Sequence, residues 1–76
     1  MPQVDVLVWT DMLPELPNVL ALMKASEVTR APEDDRTMRI TLDMPYVPDG
    51  AIQVEPNLQR TERGIRVQSL SWTYPA

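Results

Sequence analysis

Catalysis at neutral pH draws most often on histidine, cysteine, a lysine of lowered pKa, or two carboxylates held in a cleft. This chain has neither histidine nor cysteine. Its one lysine, Lys24, follows a run of apolar helix formers, where the stem lies along the surface and the ammonium reaches water. Ser69 and Ser71 have no histidine to serve as base. Glu33, Asp34 and Asp35 set three carboxylates in a row, but they lack the alternating ligands and following glycine of a calcium loop. A zinc site would have to be built from carboxylates alone. Gly50 and Gly64 are the only glycines, so there is no glycine-rich phosphate loop. No catalytic residue, metal or cofactor is expected, and the chain does not read as an enzyme.

The residue types that remain suit binding. Arg60, Arg63 and Arg66 surround one turn, with Glu62 among them, and could grip a carboxylate surface or an anion, although a solvated hairpin of ordinary loop charges is the favoured reading. Trp72 and Tyr74, with Trp9 and Tyr46, belong to the types enriched at binding hot spots; the favoured reading is that they complete the core, but a small core has difficulty covering all four, which leaves one for a partner. Glu33, Asp34 and Asp35 repel one another and belong in water. An acidic turn on one molecule facing the arginines on another would join copies head to tail.

Composition narrows the partner. Eleven acidic and seven basic residues leave a formal charge of −4, which disfavours direct contact with nucleic acid or an anionic membrane. Six of the seven basic residues are arginine, the residue better suited to planar, bidentate protein contacts. No apolar run is long enough to span a bilayer, and Met1–Trp9 lacks the basic start and long apolar stretch of a signal peptide. A cytoplasmic location is expected, or a virion if the chain is virus-encoded. At 76 residues one small domain is expected across 1–76, and without cysteine it has no disulfide to brace a thin core. Self-association or docking on a protein partner is the support left, and the alternative is that the chain folds alone, as many small domains do.

These residues must be positioned by a small sheet. Met38, Ile40, Leu42 and Met44 alternate with Thr37, Arg39, Thr41 and Asp43, which predicts a half-buried strand over Thr37–Met44 with one packed face. Val4, Val6 and Val8 oppose Leu7 and Trp9 on a first strand that carries apolar weight on both faces and so belongs near the middle. Leu16, Val19, Leu20 and Met23 fall at helical spacing and predict a short helix over Asn18–Glu27, with Pro17 tolerated at its start. The alternative is that Val19–Arg30 is extended and pairs with Thr37–Met44 across a turn at Pro32–Arg36. Pro45–Gly50 reads as a reversal. Ile52, Val54 and Leu58 then share a face, and Pro56, which cannot donate to a ladder, marks an edge strand. Arg60–Gly64 closes a second hairpin. On the last strand Ile65 and Val67 have one parity and Leu70, Trp72 and Tyr74 the other, and a bulge near Gln68 or Ser69 would return both sets to one face.

The expected fold is α+β and β-rich, a four-stranded sheet with one short helix in the order β-α-β-β-β, with an all-β arrangement as the alternative. The expected function is a non-catalytic protein–protein interaction or assembly module that binds itself or a larger complex. A small structural or accessory component of the kind found in phage particles fits that description. The alternative is an acidic inhibitor occupying a basic site on a nucleic-acid-handling protein, a mimicry that the interspersed arginines weaken.

Overall fold

In the structure, a computed structural model covering Met1–Ala76, the valines of the first strand form β1 (Gln3–Trp9). A 3₁₀ segment (Thr10–Glu15) leads into α1 (Leu16–Met23), and the chain then runs through β2 (Ser26–Pro32), β3 (Thr37–Asp43), β4 (Gln53–Thr61) and β5 (Gly64–Thr73). All five strands share one sheet in the order β2-β3-β1-β4-β5, with β1 at its centre. The arrangement is mixed α+β and β-rich.

The expected count of four strands is corrected to five, because the stretch read as either helix or strand is both in turn. The helix stops at Met23. Lys24 takes the left-handed conformation (φ 57°), where its amide and that of Ala25 turn back to the carbonyls of Ala21 and Leu20. Lys24 thus caps the helix from outside its body. Ser26–Pro32 can then pair antiparallel with β3, and β-branched Val28 and Thr29 suit extended backbone.

The packed face is the one the alternation predicted. Ile40 and Leu42 are wholly enclosed, and Val4, Val6 and Val54 join them from the sheet and Met44 from just past the end of β3. Leu16, Val19, Leu20 and Met23 close this face from α1. Side chains directly opposite each other on neighbouring strands share a face. In the β4–β5 register Val54 faces Trp72 and Pro56 faces Leu70, Gln68 is passed over, and Leu58 then faces Val67 and Arg60 faces Ile65. That one-residue bulge puts Ile65, Val67, Leu70 and Trp72 on the helix side together.

β4 is not an edge strand, since it lies between β1 and β5. Proline is tolerated there because its missing donor faces β1 at the point where pairing with β1 ends. The parallel β1–β4 ladder holds two residue pairs, Asp5 with Gln53 and Val6 with Val54. The antiparallel β1–β3 ladder on the other side of β1 holds seven.

Candidate functional site

The two sheet edges differ sharply. β2 ends in Pro32, carries the Glu27–Arg30 ion pair, and is disrupted by a register shift between Glu27 and Thr29. Proline, charge and irregularity are the devices that keep a sheet edge from pairing with another chain. β5, the other edge, runs for ten residues with no proline and with Arg66 as its only charged residue. Its four helix-side residues, Ile65, Val67, Leu70 and Trp72, are each half-buried. Trp72 packs against the core, so only part of its surface can meet a partner. Tyr74 lies just beyond the strand and is 51% exposed, with its ring close to the turn at Gly50 (φ 84°).

The acidic turn and the arginines share one end of the sheet. β1 runs towards Trp9, which pairs with Thr37 beside the β2–β3 turn, and β4, parallel to β1, runs towards the β4–β5 turn. Trp9, 60% exposed, ends the strand between the two tips.

Within each tip the charges are already engaged. The Asp34 carboxylate accepts hydrogen bonds from the backbone N–H groups of Arg36 (2.8 Å) and Thr37 (3.0 Å). These bonds hold its pKa below the ordinary aspartate value. Glu33 accepts two hydrogen bonds from Arg39 at 3.0 and 2.7 Å, and its pKa is lowered chiefly by them. Asp35 is exposed beside them. The arginines share a hairpin but not a face. Arg60 lies on the helix side, 3.7 Å from the Glu15 carboxylate, whose other oxygen is buried without a hydrogen-bond partner. Arg66 lies on the opposite face and donates to Gln59 at 2.6 Å. Arg63 sits in the turn, with its N–H on the Thr61 hydroxyl. Three guanidinium groups spread in this way do not converge on a single anion.

A polar network on the open face was not anticipated. Arg39 bridges Glu33 and Asp5, and Asp5 also accepts from Thr41 at 2.9 Å. On the far strands Asn57 donates to both Ser69 and Ser71 at 2.9 Å. The signal was available as parity, because Asp5, Arg39 and Thr41 all occupy the non-core alternation of strands that prove to be neighbours. No group of three or more acidic residues is arranged to hold a metal ion. No helix is long and apolar enough to cross a membrane.

The fold and its free edge define a small β-rich α+β domain with one helix on one face of a five-stranded mixed sheet. Comparison with protein-family models, curated proteins and solved structures finds no match.

Proposed function

We propose that this chain is a non-catalytic protein–protein interaction or assembly module, which pairs the free edge of β5 with an extended strand of a neighbouring protein or of a second copy. The observation that carries the reading is the contrast between the two edges, one blunted and one left open over ten residues. Each new backbone hydrogen bond contributes about 0.5–1.5 kcal/mol net. Covering the half-buried Ile65, Val67, Leu70 and Trp72 adds apolar burial at about 25 cal/mol per Å². Pairing of this kind gains affinity from main chain and specificity from side-chain pockets. A small structural or accessory component fits that mode of action. The acidic-inhibitor reading ranks below it, because Glu27, Glu33 and Asp5 are held by arginines of the same chain.

Light scattering coupled to size exclusion tests the self-pairing form, and capture from the native host followed by mass spectrometry tests the heterologous form. Two variants accompany the intact chain, a truncation ending at Ser71 and Gln68→Lys, which adds a charge to the exposed bulge of the edge. Association of the intact chain that both variants weaken, with the Gln68→Lys fold intact by circular dichroism, supports the reading. A monomer at high concentration whose captured proteins are the same for all three chains rejects it.

A further inference from the structure

The sheet contains a second, internal opening, between Leu7–Trp9 of β1 and Pro56–Leu58 of β4. The Asp5 N–H donates to the Ile52 carbonyl at 3.2 Å, which fixes the pattern of the parallel ladder. Continued in register, the Val54 N–H bonds Asp5, the Leu7 N–H bonds Val54, and the next bond would run from the nitrogen of residue 56 to the Leu7 carbonyl. Residue 56 is proline and has no N–H to give. Pairing accordingly ends after Val6 and Val54. The Thr10 N–H, just past β1, bonds the Arg36 carbonyl, just before β3, so even-numbered residues of β1 face β3 and odd-numbered ones face β4. The Leu7 carbonyl and the Trp9 N–H therefore point into the opening with no strand paired to them.

The opening is lined from both faces of the sheet, as a gap between strands should be. Leu7 and Trp9 contribute from the open face, and Met12, Leu16, Pro56 and Leu58 from the helix side. It holds about 390 Å³, within the roughly 300–1,000 Å³ of ordinary ligand sites. Its walls are mostly apolar, while its strand edge offers an acceptor at Leu7 followed by a donor at Trp9. A compact apolar ligand would leave both backbone groups unpaired, a costly outcome once water is excluded. An extended polypeptide satisfies both, because its own backbone presents a donor and an acceptor at the same spacing. Glu55 stands on the open-face rim, where a basic side chain would meet it.

We infer that this gap is a binding site for an extended segment of a partner protein, with a large apolar side chain seated over Met12 and Leu58 and a basic residue beside it near Glu55. Pro56 holds the site open by denying Leu7 its intramolecular donor. This site is separate from the β5 edge.

The probe is a capped heptapeptide that alternates leucine with threonine and carries one lysine, titrated to millimolar concentration into the intact chain and followed by amide chemical shifts. Shifts confined to Leu7, Val8, Trp9 and Leu58 are expected. A peptide with proline at its central position, which lacks the donor for Leu7, should bind about tenfold more weakly. Pro56→Val supplies the missing N–H, lets β4 close on β1, and should weaken binding by a similar factor, whereas Gln68→Lys should leave binding unchanged. Shifts along Gly64–Thr73 instead would overturn the inference while supporting edge pairing. No response of the intact chain, or equal binding of the proline peptide, would overturn it independently of how β5 behaves.

Discussion

The Thr41 hydroxyl donates to the Asp5 carboxylate at 2.9 Å across the β1–β3 pair, on the face of the sheet opposite the enclosed Ile40. Adjacent residues of one strand thus sit in unlike surroundings, one in an apolar core and the other in a hydrogen-bonded network open to water. Arg39 extends that network by bridging Asp5 and Glu33, so the open face is ordered by charge and hydrogen bonding while the other is ordered by packing.

Ile40→Ala should destabilise the chain by about 2–5 kcal/mol, the usual loss for a large-to-small change in a filled core. Thr41→Ala removes one part-buried hydrogen bond and should cost about 1 kcal/mol or less. Urea denaturation of both variants compares the two faces directly. Equal losses would contradict a one-sided core.

Lys24 holds a left-handed conformation (φ 57°) that costs an L-residue roughly 1–2 kcal/mol and costs glycine almost nothing. Lys24→Gly should therefore stabilise the chain by about 0.5–1 kcal/mol once the greater freedom of unfolded glycine is offset. A rise in thermal midpoint checks this. A fall would mean that Lys24 contributes more to the helix end than its backbone strain removes.

Acid should destabilise the fold through its bonded carboxylates. Glu27 and Glu33 are lowered chiefly by hydrogen bonds from Arg30 and Arg39, and Asp34 by the backbone of its own turn. Their contribution is complete above the unfolded carboxylate values of about 4, and it is lost as pH falls through the lower folded values. With no histidine, the thermal midpoint should be nearly flat from about pH 5 to 7 and decline below about pH 4. Glu33→Gln and Asp34→Asn should lower the midpoint at neutral pH and shrink the acid decline. An unchanged acid slope in both variants would assign the decline to other groups.

The two tryptophans should report different surroundings. Trp9 is 60% exposed at the end of β1, whereas Trp72 packs against the core opposite Val54. Trp72→Phe should leave red-shifted emission that acrylamide quenches readily, and Trp9→Phe should leave a bluer, better protected signal. Indistinguishable quenching would contradict the placement of β5 against the helix side.

Much of this fold was legible because it is written in local order. The alternation over Thr37–Met44 specified a strand and its inward face, since the pleat carries successive side chains to opposite sides. The switch of parity between Val67 and Leu70 marked the bulge that the structure places at Gln68, and Gly50 and Gly64 occupy the positive φ values their turns require (84° and 119°). β2 left no such mark. All seven of its residues are exposed, so it has no apolar parity to read, and its strand character comes from pairing with β3 once Lys24 has ended the helix. The faces of Arg60 and Arg66, the meeting of Asp5 with Arg39, and the interior place of Pro56 were likewise decided by tertiary structure. Parity within a strand states which side chains share a side. Which strand lies alongside, in what direction and for how many residues, depends on contacts between segments far apart in the chain, and it was the parallel approach of β4 to β1 that turned Pro56 from a mark of an edge into the cause of a gap.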